Sequence, residues 1–292
     1  MSNPRIPYVF STSRPKLAAP GGKPIVVHLV VNVEHWRIEA SMPRTIITPP
    51  HGKETIPDIP NFSWVDYGMR CGLPRMIELF SSHKLPVSTS FNAGVIDAYP
   101  QAAVAMRDAG WEFIGHGLHQ QSLNQAPSER DVIVATLDKI QGFTGKRPRG
   151  WLGPGLRETW DTPDILRECG VDYVHDWVIE DVPAWMTTKA GPMIAMPYNL
   201  EINDSIIYAV EKHSSAEMYQ RMVSTVECFA KETSKNTRIF AIGLHPHLMG
   251  VPHRFGYLEK MIDYLMARSD VCFMNGSQIA DWFVKESPAP KA

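Results

Sequence analysis

The sequence predicts an α/β fold and, within that class, an irregular (β/α)7-type barrel. Three observations carry the prediction. Strand and helix signals alternate through roughly seven or eight β-then-α steps with short connections, the pattern of a parallel sheet. The segment Pro24-Ile-Val-Val-His-Leu-Val-Val-Asn-Val33 is a near-continuous β-branched run of the kind buried on both faces. No Gly-rich phosphate loop and no compositional break divides the chain, which favours a barrel over a doubly wound sheet.

After the first strand, Met76, Leu79 and Phe80 share one face of a helix predicted over 73–83. A strand over 86–91 leads to a helix over 99–109, stopped by Gly110. A third strand over 111–114 precedes a helix over 128–142, whose first turn Ser128 can cap. A short strand over 149–152 is followed by a helix over 162–169 with Pro163 in its first turn. Strands follow over 171–174, 193–196 and 205–210, and then a long helix over 216–232. The apolar run over 239–244 is an interior strand that stops at His245-Pro246, because proline cannot continue the ladder. A helix over 257–267, a strand over 271–274 and a helix over 277–286 close the chain. The prolines cluster over 43–60 without a period, predicting a long ordered loop that is either a cover for the active site or a structural arm. One domain over 1–292 is expected, with its core over about 24–285.

Composition narrows the function. A chain of 292 residues with 44% hydrophobic and 21% charged residues is ordinary for a globular protein. Its net charge of −2 supplies no basic surface for nucleic acid. No stretch approaches the roughly 18 apolar residues of a membrane span. The first 17 residues carry Arg5, Arg14 and Lys16 but no apolar core of a secretion signal. Cys71, Cys169, Cys228 and Cys272 lack paired spacing, which points to reduced thiols and a cytoplasmic location.

Chemistry gathers at the predicted strand ends. The first strand runs into Asn32-Val-Glu34-His35-Trp36, where alternation puts Asn32 and Glu34 on one side. The third ends in Gly115-His116-Gly-Leu-His119-Gln120, and the fourth in Trp151-Leu-Gly153-Pro154-Gly155. The next ends in His175-Asp176-Trp177, and the late strand in His245-Pro246-His247. Each alone has an ordinary structural reading: a surface acid, a capping histidine, a helix cap. Together they matter more, because a parallel barrel projects its strand ends into one mouth. Histidine is also the side chain best suited to exchange a proton near neutral pH.

Several pieces in order resemble the polysaccharide deacetylase superfamily, the NodB-homology fold. They are Val31-Asn-Val-Glu34, Trp111-Glu-Phe-Ile-Gly-His-Gly117, Thr144-Gly-Lys-Arg-Pro-Arg-Gly-Trp151, Glu180-Asp-Val-Pro-Ala-Trp185, Pro197-Tyr-Asn-Leu-Glu-Ile-Asn-Asp204 and Ile242-Gly-Leu-His245. The resemblance spans about 24–283 and is nearest to the branch of cofactor-independent allantoinases and cyclic imide hydrolases. It implies an irregular barrel of about seven β/α units. In the deacetylases the first strand supplies two aspartates, a base and a metal ligand; the third supplies two ligating histidines four residues apart; a late histidine is the general acid. Here those positions hold Asn32, Glu34, His116, Gln120 and His245, with His119 one step before Gln120. Asn32 cannot act as a base, so sugar deacetylation is in doubt.

The resemblance implies a hydrolase of non-peptide C–N bonds that opens a small cyclic amide or imide, with a homo-oligomeric assembly. Its implied catalytic set is His245, Glu34 and Asn32. Glu34, His116 and His119 are the implied ligands of one Zn²⁺ or other divalent ion, with Gln120 as the alternative third ligand. A rival arrangement has no metal and uses Glu34 as the base. Trp36, Trp151, Gly153, Pro154, Asp176 and Trp185 are expected around the substrate, since aromatic walls suit a flat ring. The alternatives are a metal-dependent N-acetyl sugar deacetylase and an inactive binding relative.

Overall fold

A computed structural model of the protein describes residues 3–290; the expected domain extends past them at Met1, Ser2, Lys291 and Ala292. β1, Ile25–Val33, is buried at every position, as a β-branched run must be when it is covered on both faces. It pairs in parallel with β2, Val87–Phe91, and β2 in turn with β3, Glu112–Gly115. Between β1 and β2 lie α1, Ile59–Tyr67, and α2, Leu73–Ser82; α3, Val95–Ala98, and α4, Pro100–Asp108, lead on to β3.

α5, Glu129–Thr144, is capped by the Ser128 side chain, which accepts from the Asp131 amide at 3.3 Å. The short strands β4, Gly150–Trp151, and β5, Tyr173–Val174, flank α6, Thr162–Glu168. β6, Ala184–Thr188, and β7, Gly191–Ala195, form an antiparallel hairpin. α7, Glu217–Glu232, precedes β8, Arg238–Leu244; α8, Pro252–Met266, precedes β9, Val271–Phe273, and α9, Gly276–Glu286, follows.

The strand order is β6-β7-β5-β4-β3-β2-β1-β8, with β9 also pairing with β1. β6 and β8, at the two ends, do not pair as strands. Irregular backbone closes the gap: the Ile239 amide donates to Asp181 O at 2.8 Å and the Gly243 amide to Ile202 O at 3.0 Å. The barrel is therefore parallel except at the β6–β7 hairpin, and irregular where it closes. Its interior holds Val26, Ile114, Tyr173, Ile194 and Ile239 in one apolar layer, with Val30, Leu152, Tyr198 and Ala241 in a second. Among the described residues no helix is long and apolar enough to cross a membrane.

Two predicted elements are corrected. The strand expected over 205–210 is a π-helical turn, Ser205–Val210. A short apolar run does not reveal its period, and here Asn203 settles the matter: its side chain accepts from the Ser205 amide at 2.9 Å and opens a turn. The proline-rich loop expected over 43–60 ends early, because Asp58 caps α1 by accepting from the Asn61 amide at 3.2 Å. Buried Asn61 then pins the loop, accepting from the Ile46 and Ile47 amides at 2.7 and 3.0 Å.

Candidate active site

The end of β1 delivers Glu34, and the end of β8 delivers His245. Glu34 Oε1 lies 3.5 Å from His245 Nε2, while its other oxygen accepts from Trp36 Nε1 at 2.6 Å. On the far side of the imidazole, Nδ1 lies 2.6 Å from Asp204 Oδ1. Asp204 also accepts, through Oδ2, from the His245 backbone amide at 2.6 Å, so the carboxylate holds both ring and main chain. The fully buried Asp204 stands at the entry to the π-helical turn, beside an Asn203–Gly243 bridge that ties this segment to β8.

These contacts set the charge states. Burial works against charge on His245, but Asp204 and Glu34 outweigh it and raise the imidazole to about 9. Burial works against charge on Glu34 too, yet His245, with smaller help from His247 and His116, brings it down to about 2. At neutral pH the pair is an imidazolium facing a carboxylate. His247, packed edge-on to Trp64 at 4.5 Å and to Trp36 at 5.8 Å, is lowered to about 3 by burial and then by the charge on His245. It stays neutral.

His116 is buried at the end of β3 and kept neutral mainly by that burial. Its Nδ1 lies against the Leu152 carbonyl, which can only accept, so Nδ1 carries the hydrogen and Nε2 is left as an acceptor. Nε2 and the neighbouring Gln120 Oε1 are both buried without a hydrogen-bond partner, and the Gln120 side chain bears on the acidity of His116.

His119 turns elsewhere. Gly117, at φ 74°, bends the chain, and the Gln120 amide donates to His35 O at 3.0 Å. His119 Nδ1 comes to rest 2.9 Å from His35 Nδ1. The expected ligand set of Glu34, His116 and His119 is therefore not assembled, and the residue beside His116 is Gln120, a weak neutral donor. Among the described residues no three His, Cys, Asp or Glu side chains converge as a cation cage. The donor set does not fit the Zn²⁺ expected from the sequence.

Other expected site residues stand apart. Asn32 is fully engaged inside the barrel: its amide donates to Tyr198 Oη at 3.1 Å and Leu244 O at 3.2 Å, and its oxygen accepts from Ser90 at 2.6 Å. It is a strut beneath the site and not one of its reacting groups. Trp151 is wholly buried in the core around Leu137 and Val174, where a Cβ on Gly115 would sit 2.5 Å from its ring. Trp185 packs on Phe283 at 5.3 Å and donates to Ser287 O at 2.9 Å, away from the cavity. Asp176 is half-buried, accepts from the Gly153 amide at 2.8 and 2.9 Å, and is pushed well up by desolvation and the charge of Glu158. Gly153 and Asp176 thus brace the wall from behind, while Trp36 and Pro154 face the cavity.

That cavity has a volume of about 640 Å³, with Glu34, His245 and His247 among its lining residues, and Arg44 and Gln120 on its walls. The proline-rich loop contributes Pro43 and Arg44 to its rim. The sequence alone assigned no role at the site to Asp204, Trp64 or Arg44. The second imidazole of His245-Pro246-His247 and the aspartate ending the segment 197–204 were the available signals.

Residues 61–174 match the family model described as polysaccharide deacetylase. A peptidoglycan deacetylase of Helicobacter pylori is 24% identical over 276 residues, covering 82% of this chain and 92% of its own. Among solved structures, PuuE allantoinase superposes with a TM-score of 0.85 at 23% identity, covering 95% of this chain and 96% of its own. A structure named "probable polysaccharide deacetylase" from Pseudomonas aeruginosa PAO1 gives 0.86 at 24% identity, over 95% and 97%. The matched segment and these relatives support a place in the polysaccharide deacetylase, or NodB-homology, superfamily, and the solved structures share its fold. The carboxylate that follows β1 is held by an indole on one side and an imidazolium on the other.

Asp204→Asn is the substitution that tests the His245 assignment most gently. It keeps the volume and removes the charge that sustains the imidazolium. kcat is expected to fall by about 10²-fold, and the alkaline limb of the pH–rate profile to move down from about 9. Stopped or continuous assays between pH 6 and 10 would show it; an unmoved limb would remove Asp204 from the mechanism.

Proposed function

We propose that the protein is a C–N hydrolase that opens a small cyclic amide or imide. One observation supports the reading: Asp204, His245 and Glu34 stand in line, with His245 Nε2 and Glu34 Oε1 3.5 Å apart, on a cavity suited to a small molecule, an arrangement that suits an acid and a base. Glu34 takes a proton from water, and the oxygen adds to the ring carbonyl. As the C–N bond breaks, His245 Nε2 gives its proton to the departing nitrogen. The ring opens to a carboxylic acid, which ionises to solvent. The proton on Glu34 then returns to His245 across their contact, restoring the starting pair.

Trp36 and Pro154 give the cavity flat apolar wall, which suits a planar ring. A second reading, deacetylation of N-acetylated sugars with a divalent metal, is supported by the matched family model and by the name of the Helicobacter pylori relative. We place the activity in the cytoplasm, in one domain and in a homo-oligomer. Four free cysteines suit a reducing compartment, and exposed Tyr8, Phe10 and Trp160 offer apolar surface to a second copy.

Turnover of allantoin, succinimide, phthalimide, hydantoin and an N-acetylglucosamine oligomer, each with and without chelator, tests the reading. Ring opening that survives chelation is expected. Loss of turnover on chelation, restored by Zn²⁺, or acetate release from the oligomer alone, would transfer the assignment to the deacetylase reading.

A further inference from the structure

The cavity carries positive charge that the reaction above does not use. Arg37, Arg44 and Arg157 line it, while Glu34 is the one carboxylate in its lining among the described residues. Glu34 is already engaged by Trp36 and His245. The chain as a whole has a net charge of −2, so this excess is local.

Each guanidinium is placed by the fold. Arg44 is fixed through Nη1, which donates to Ser205 Oγ at 2.5 Å and to its carbonyl at 3.3 Å. Ser205 follows Asp204, so the residue that tethers Arg44 adjoins the one that holds His245. The charge on Arg44 reaches His247 and helps to keep that imidazole neutral. Arg37 is exposed, with Glu39 at 3.8 Å. Arg157 is exposed on the loop whose Pro154 and Gly155 also wall the cavity, and Gly155, at φ 68°, makes the turn that brings it there.

We propose that the substrate carries a carboxylate outside the bond that is cleaved, and that the rim guanidiniums, Arg44 and Arg157 first among them, hold it. The inference rests on the C–N hydrolase reading and narrows its substrate to acidic rings. A guanidinium offers paired donors that match a carboxylate, and a recessed site of one sign concentrates the opposite charge. A volume of about 640 Å³ accommodates a five- or six-membered ring with a short acid side chain. The binding is steering and positioning at a partly wet rim, so its signature is specificity and salt dependence.

The test compares hydantoin with hydantoin-5-acetic acid, one ring with and without the carboxylate. The acid is expected to be preferred in kcat/KM by about tenfold, the preference shrinking as salt is raised. In Arg157→Gln and Arg44→Gln the ratio of acid to neutral kcat/KM should fall by about five- to tenfold, chiefly through KM of the acid. Equal use of the two rings by the unmodified enzyme, or variants that leave the ratio unchanged, would overturn the proposal while the hydrolase reading stands. If neither ring opens, the cyclic-amide reading has failed, and calorimetric titration with N-carbamoyl-aspartate reads the rim alone. Binding weakened by Arg157→Gln supports an acid site, and absence of binding overturns it.

Discussion

His245→Ala is expected to lower kcat by about 10²–10⁴, the usual worth of a positioned general acid, in a protein that remains folded. The imidazole makes two contacts that alanine removes, one to Asp204 at 2.6 Å and one to Glu34 at 3.5 Å. Its backbone amide keeps the third, to Asp204 Oδ2, so the end of β8 stays anchored. A buried carboxylate that loses its charged partner costs stability, on the order of 3–5 kcal/mol. The loss of rate corresponds to about 3–5 kcal/mol, a similar size, so the two are separated by urea unfolding followed by circular dichroism beside turnover of the folded variant. Near-normal turnover in the folded variant would take His245 out of the mechanism.

The same contacts tie stability to pH. The folded imidazole is raised to about 9 from 6.5, so its contribution is complete below about pH 6.5 and is lost as pH rises through 9. For Glu34, lowered to about 2 from 4.5, the sign reverses: its contribution is present above about pH 4.5 and lost as pH falls through 2. Between these limits both groups hold the charges that the reaction uses.

The parts of this molecule legible in the sequence are those in which one force dominates. β1 announced itself because a strand buried on both faces needs nine apolar or enclosed residues in a row. β8 did so because His245-Pro246 ends a ladder outright. The Ser205–Val210 turn was misread because its Ile-Ile-Tyr core suits either backbone, and the deciding contact is made by the Asn203 side chain. β6 went unseen because its Trp-Met-Thr-Thr sequence pairs only with its own hairpin partner. At the site, alternation correctly set Asn32 and Glu34 on one side of β1, but it could not show that Asn32 faces Tyr198 and Ser90 within the barrel. The placing of His119 depended on the bend at Gly117 and on the partner found in His35, both tertiary facts. The tryptophans divided in the same way. Trp36 reached the cavity because it lies two residues past Glu34, whereas Trp151 lies within a strand and was taken up by the core.

Glu34→Gln has the largest expected effect, a fall in kcat of about 10³-fold or more, because it removes the base and disturbs the acid together. Glutamine preserves the volume and can still accept from Trp36 Nε1, now 2.6 Å from the carboxylate, so the wall of the cavity is retained. It cannot take a proton from water. Nor can it sustain the charge on His245, which Glu34 raises jointly with Asp204. The imidazole should then titrate below about 9, held up by Asp204 alone, and NMR of the His245 ring would report that shift independently of turnover. Aspartate is the sharper control. Glu34→Asp keeps the charge but withdraws it by one methylene, so the His245 titration should be partly retained while turnover is lost. This outcome separates a base that must reach the water from a carboxylate that merely holds the imidazolium. A Glu34→Gln enzyme with turnover within tenfold of the unmodified protein would sink the assignment, since no other carboxylate among the described residues lines this cavity.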